Sequence, residues 1–217
     1  MLPTPIITAV SVAGLDVGYR LGLDQKIPIG AAVLTARLQG ATVRFSLESH
    51  ILQPSDSADT LLAWLDQRLL TDGATITGYR IKDTVALLER LPGAEWSPAL
   101  RALSGCGQQY LLDLSASVDG EPLSFRQACA HARILSAKPD RDRRVAGWVR
   151  SDVGEIDEHA QVDVLATFRL VICRLAAVNP VGKSLATAIS SHFAGWLGEA
   201  DCAATRLHVA DLMSAAD

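Results

Sequence analysis

The longest apolar run of the chain, Val162 to Val178, constrains its fold more than any other stretch. Leu165, Phe168, Leu170, Val171, Ile172 and Leu175 populate it, and Asp163, Arg169 and Arg174 interrupt it. The interruptions argue against a membrane span and predict a long helix over about Ile156–Ala177, buried along one side against a sheet or other helices. His159 and Asp163 stand four apart at its start, hence one turn apart on the same face. An imidazole beside a carboxylate on a buried helix can form the edge of an active site. The same pair is also common on ordinary helices.

The rest of the chain supplies a sheet first and helices later. Ile6–Ala13 reads as a buried strand closed by Gly14, followed by a polar loop from Leu15 to Lys26. Strands about Ile29–Leu38 and Ala41–Leu47, turning at Gln39-Gly40, form a hairpin. Asp56–Leu70 has helical spacing, with Ser57 or Asp59 as its cap. Asp72-Gly73 is a turn before a short strand, Ala74–Thr77. A helix over Lys82–Leu91 is stopped by Pro92-Gly93, and a short one follows over Trp96–Leu103. Tyr110–Ser115 is a strand with Asp113 inside it. Helices are then expected at Phe125–Ile134, Arg141–Val149, the long stretch above, Leu185–Leu197 and Ala203–Met213. This order predicts an α/β domain with a mixed sheet and no internal repeat.

With 217 residues, 49% of them apolar, the chain is long enough to bury a core without a disulfide or metal staple. Cys106, Cys129, Cys173 and Cys202 are scattered without metal-ligand spacing, which disfavours a zinc site and suits reduced thiols. A net charge of −4 does not advertise a polyanion partner, although it permits a local basic patch. There is no basic region ahead of Ile6-Ile7 to make a signal peptide, so a soluble, cytoplasmic protein without membrane partners is expected. Val181-Gly182-Lys183-Ser184 lacks the first glycine and the preceding strand of a phosphate loop; it reads as a helix start after Pro180. Ser11 has no nucleophile-elbow context, so serine hydrolase chemistry finds no support.

Five stretches taken together carry a family resemblance. His159-Ala160-Gln161-Val162-Asp163 is followed by Val-Leu-Ala-Thr-Phe-Arg-Leu. Gly78-Tyr79-Arg80-Ile81-Lys82-Asp83 is followed by Thr-Val-Ala-Leu-Leu-Glu-Arg. Between them stand Leu112-Asp113-Leu114, Leu123-Ser124-Phe125-Arg126-Gln127-Ala128, and Val145 and Trp148 leading into Ile156. In order and spacing these resemble the DEDD superfamily of 3′–5′ exonucleases, in particular the stand-alone group related to the proofreading domain of family B DNA polymerases. The resemblance covers roughly residues 6–178. It implies a ribonuclease H-like fold with a mixed five-stranded sheet flanked by helices. Residues 1–178 would form the exonuclease-type domain, and 179–217 a helical extension packed on it. It further implies a divalent ion, Mg²⁺ or Mn²⁺, as cofactor where one is bound at all, and a single-stranded nucleic-acid 3′ end or a nucleotide as partner. Asp83 and Asp163 take the place of metal ligands, and His159 that of the water-orienting base.

The first motif departs from that pattern. Ala13-Gly14-Leu15-Asp16 fits the strand and loop, yet Ala9 and Ser11 stand where the family has Asp-x-Glu. Residues two apart on a strand face the same side, which lets paired carboxylates reach a shared pair of metals. A methyl and a hydroxyl replace them here, and a hydroxyl does not substitute for a carboxylate on Mg²⁺. A degenerate, catalytically impaired site is expected. Asp16 and Glu48 are the nearest acids by position, but neither occupies the lost geometry. Tyr79, Arg80 and Arg144 are candidate nucleic-acid contacts. Arg141, Arg143, Arg144 and Arg150 surround Trp148, which would stack a base or sit in the core. The bland reading pairs these cations with Asp140 and Asp142. The rival functions are a non-catalytic scaffold on the same fold and an active exonuclease with an atypical metal site.

Overall fold

A computed structural model describes residues 5–23 and 25–214. Residues 1–4 and 215–217, the outer ends of the two expected segments, and Asp24 of the expected loop lie outside that description. The chain opens with an antiparallel meander of β1 (Ile6–Asp16), β2 (Lys26–Gln39) and β3 (Thr42–Ile51). It then alternates through α1 (Ala58–Leu69), β4 (Thr75–Gly78), α2 (Ile81–Leu88), α3 (Pro98–Leu103) and β5 (Tyr110–Asp113). A small hairpin, β6 (Ser117–Val118) and β7 (Glu121–Pro122), precedes α4 (Phe125–His131) and α5 (Arg141–Val149). The chain closes with α6 (Gly154–Val178), α7 (Pro180–Glu199) and α8 (Ala203–Ser214).

The five main strands lie in the order β3-β2-β1-β4-β5. β1 and β2 pair antiparallel, as do β2 and β3, whereas β4 runs parallel to β1 and β5 to β4. A tight hairpin turn permits the first two pairings; the parallel ones need the helical crossovers that α1, α2 and α3 provide. This is the mixed five-stranded sheet expected from the sequence.

Alternation along the central strands divides the core into two layers. Ala9, Ala13, Ile29 and Leu34 face Ile156, Ala160, Val164 and Phe168 of α6. Val10, Ala31, Val33 and Ile76 face Leu61, Leu65, Leu88 and Leu103 of α1–α3. Edge strand β3 turns Phe45 onto Phe168, Phe193 and Trp196, with ring centroids 5.3–5.6 Å apart, so α7 closes over the edge of the same core. Gly182 lets α7 approach α6: a Cβ there would stand 2.4 Å from the Leu175 carbonyl oxygen. α8 is tied to α6 by a buried polar cluster. Arg169 pairs with Asp211 at 2.5 Å, and fully buried His208 bridges Arg169 (3.1 Å) and the Val162 carbonyl (3.0 Å).

Some boundaries differ from the sequence expectation. The loop expected from Leu15 to Lys26 is partly strand. β1 and β2 keep pairing beyond a register shift at Ala13/Gly14, through Leu15↔Ile27 and Asp16↔Lys26, which satisfies backbone groups a loop would leave to water. β5 ends at Asp113, not Ser115, because the Asp113 carboxylate bends back to accept the Ser115 N–H at 2.8 Å. α7 begins at Pro180, five residues earlier than expected. Its cap is Asn179, whose side chain accepts from the Gly182 N–H at 2.7 Å, and Val181–Ser184 is the expected helix start. The β6–β7 hairpin carries no periodicity long enough to be read from sequence.

Candidate functional site

The long helix α6 presents Ala160 and Val164 to the sheet and sets His159 and Asp163 toward the flank of that face. Asp163 Oδ1 accepts a hydrogen bond from the Ala137 N–H at 2.9 Å. Burial raises its carboxyl from the ordinary 3.8 to about 6, against the opposing pull of that N–H and of the Arg144 and Arg126 guanidiniums. Burial, with help from Arg144 and Arg126, lowers His159 below its ordinary range, and Glu155 and Glu158 oppose it. Arg144 is depressed by burial too, while Asp163 and Glu155 favour its charge. His159 Nδ1 and Arg144 Nε are buried polar atoms without a hydrogen-bond partner. Such atoms are costly to leave unpaired.

Helix α5 delivers the arginines. Asp140 caps it, accepting from the Arg143 N–H at 3.0 Å. Arg143 pairs with Glu155 at 2.7 Å, and Arg141 lies 4.0 Å from Asp16 and 5.7 Å from the Tyr19 ring. Arg141 and Arg143 thus reach Asp16 of β1 and Glu155 of α6, and Asp163 and Glu155 favour the charge of Arg144; spacing along the chain, which suggests pairing with Asp140 and Asp142, does not reveal these acids. Trp148 donates its Nε1–H to the Leu52 carbonyl at 2.8 Å and packs on the sheet–α6 core, the structural alternative of the two weighed above.

The first strand runs beneath α6. Ala9 is completely buried in the cluster that holds Ala160 and Val164, and Ser11, two residues on, shares that face and is half-buried. Asp83 sits elsewhere. In the first turn of α2 its carboxylate pairs with Arg80 Nε at 2.9 Å. It lines a cavity of about 410 Å³ with Val12, Lys26 and Arg90. Val12 packs on the opposite face of β1, against the α1–α3 layer. Asp83 and Asp163 share neither a hydrogen-bond nor an ion-pair partner, and among the described residues no three His, Cys, Asp or Glu side chains gather into a metal-binding group.

Tyr79 donates its hydroxyl to the Leu123 carbonyl at 2.8 Å and meets Phe125 edge-on at 5.5 Å. Arg80 adopts φ 51°, and Asp113 accepts both its N–H and that of Ile81 at 3.0 Å, capping α2. Of the possible substitutes for the lost acids, Glu48 is held by Arg68 at 2.6 Å, and Asp16 by Arg141. Neither joins Asp163. Sequence reasoning did not single out Arg126 or Glu155. Arg126 lay inside a quoted stretch, but only the contact between α4 and the α4–α5 connection, where its Nε–H bonds the Ala137 carbonyl at 3.1 Å, brings it toward Asp163.

No family model matches the chain, and neither does any curated protein. Among the structural neighbours are exonuclease I chains. One, in complex with the inhibitor BCBP, has a TM-score of 0.47 at 11% identity, over 83% of this chain and 43% of that one. A product-bound exonuclease I gives 0.46 at 13%, over 83% and 45%. E. coli exonuclease I in complex with a dT13 oligonucleotide gives 0.42 at 13%, over 80% and 41%. The chain therefore spans less than half the length of the exonuclease I chains it matches.

Proposed function

We propose that this chain is a 3′–5′ exonuclease-like domain with a degenerate two-metal site, which binds a single-stranded 3′ end or a nucleotide without ordinary turnover. The observation that carries the reading is the company of Asp163: two guanidiniums, Arg144 and Arg126, where a two-ion centre needs further carboxylates. Like charge repels a divalent ion, so the arginines act as built-in counter-ions to the one acid that remains. The donor set fits a two-ion centre poorly on three counts. Ala9 and Ser11 offer no charge, Asp83 is committed to Arg80, and Asp83 borders the opposite layer of the sheet.

The residues at the site suit binding better. The unpartnered Arg144 Nε–H can donate to a phosphate oxygen, and His159 Nδ1 to a phosphate or accept from a sugar hydroxyl. Arg80, at the start of α2, and Tyr79, whose hydroxyl is bonded to the Leu123 carbonyl, are assigned a weaker, backbone-positioning part. The test is incubation with Mg²⁺ or Mn²⁺ and 3′-labelled single-stranded DNA and RNA. No processive shortening is expected. Robust digestion abolished by Asp163→Ala would reject the reading in favour of an active enzyme with an unusual metal site. Reversal of the loss, Ala9→Asp with Ser11→Glu, is expected not to restore Mn²⁺-dependent digestion, because the Arg144 and Arg126 charges still act on Asp163 and Asp83 stays paired with Arg80.

A further inference from the structure

A second cationic surface lies between α4, the connection that follows it, and the end of α8. Arg126, Arg133 and Lys138 line a cavity there of about 780 Å³, with Leu135, Ser136 and Asp211 completing part of its wall. We propose that this cavity is a binding site for a phosphorylated anion of nucleotide size, held by Arg126, Arg133 and Lys138. The inference goes beyond the reading above and does not require that Asp163 ever held an ion.

Charge is the first argument. Three cations converge on one concavity in a chain whose net charge is −4. The one acid in the wall does not neutralise them. Asp211 Oδ2 already takes the Arg169 guanidinium at 2.5 Å and the Leu135 N–H at 3.1 Å. Among the described residues, neither Arg133 nor Lys138 makes an ion pair.

Placement and size are the second. Arg126 is anchored through its Nε–H on the Ala137 carbonyl at 3.1 Å and its charge also acts on Asp163, so Arg133 and Lys138 supply most of the attraction for a ligand. The Arg133 backbone is fixed at φ 52°, with its N–H on Ala130 and the next N–H on Cys129 at 2.8 Å. Guanidinium forks match phosphate oxygens in pairs, and lysine adds a point charge. The volume falls in the range of small-molecule sites, about 300–1,000 Å³, while Leu135 gives a ring an apolar surface.

Calorimetry on the full chain tests the site with three probes: inorganic pyrophosphate, metal-free adenosine triphosphate, and a short 5′-phosphorylated oligothymidylate. The comparison protein is the double variant Arg133→Asn, Lys138→Gln, asparagine being chosen because it tolerates positive φ. At least one probe is expected to bind the wild type, to weaken with added salt, and to lose about tenfold in affinity in the double variant. Both positions are exposed, so the unliganded melting temperatures should agree; if they differ, Lys138→Gln alone is compared. Binding of the triphosphate alone identifies a free nucleotide as the source of the phosphate, and binding of the oligonucleotide alone a strand terminus. Binding of no probe, or equal binding by both proteins, overturns the inference. An oligonucleotide held equally by both but lost with Arg144→Gln overturns it too, while leaving the exonuclease-like reading intact. Triphosphate binding lost in the double variant, with no strand bound by any protein, upholds the inference and counts against the strand reading.

Discussion

At the residue scale, Asp163 is a carboxyl that the fold holds in an unfavourable place. Its folded value of about 6 exceeds the unfolded 3.8, so the folded state binds more protons between the two. Stability contributed by the protonated acid is full below about 3.8 and lost as pH rises through about 6. Asp163→Asn, which keeps an oxygen for the Ala137 N–H, should therefore raise stability at pH 7 by about 3 kcal/mol and add little near pH 4. Urea denaturation at the two pH values measures it, and an unchanged midpoint at pH 7 contradicts it. His208 runs the other way. Burial, with Arg169 adding to it, lowers its value from 6.5 to about 4, so its contribution is present above 6.5 and lost as pH falls through about 4. The two slopes oppose each other over much the same window. Asp163→Asn should thus also steepen the acid loss of stability between those values relative to the wild type. A parallel pH profile for the two proteins would show that these groups do not set it.

At the scale of elements, each helix that positions the candidate site is fixed by a partner distant in sequence. α2 starts at Arg80 in a left-handed conformation that an arginine does not favour, and the Asp113 carboxylate from the end of β5 holds it there. Asp113→Ala should cost about 1–2 kcal/mol in denaturant unfolding, since two N–H groups at a helix start lose their acceptor together. A loss no larger than that of an exposed control alanine would show that water replaces the carboxylate without penalty. Asp113 was visible in the sequence as an acid within a strand, but its role was not. That role depends on the register pairing Gly78 with Asp113, which no local pattern encodes. By contrast, the limits of α5 were legible because Asp140 caps it locally and the chain turns at Arg150.

At the scale of the molecule, the helical extension belongs to the core it covers. Phe193 and Trp196 of α7 enclose Phe45 and Phe168, and Ala204 of α8 is fully buried in the same cluster. Truncation after Val178 should expose this aromatic patch and the Arg169 charge that Asp211 balances. We expect insoluble protein, or a melting temperature lower by more than about 10 °C. A soluble truncated chain with an unchanged melting temperature would mark residues 179–217 as dispensable. No helix among the described residues is long and apolar enough to cross a membrane; of the charges within the long apolar run, Arg169 is buried on α6 and Arg174 is exposed.

The periodicity of Val162–Val178, the hairpin turn at Gly40 and the alternation of later strands and helices determined the class of fold, because hydrophobic spacing and turn chemistry act over a few residues. The same sequence showed that Ala9 and Ser11 bring no charge to the face that α6 covers. What surrounds Asp163 was decided only in three dimensions. The charges of Arg144 and Arg126 act on it from separate helices, and Asp83 lines a cavity with Val12 and pairs with Arg80. Electrostatic fields depend on distances through space, and the spacing of residues along a chain does not carry them.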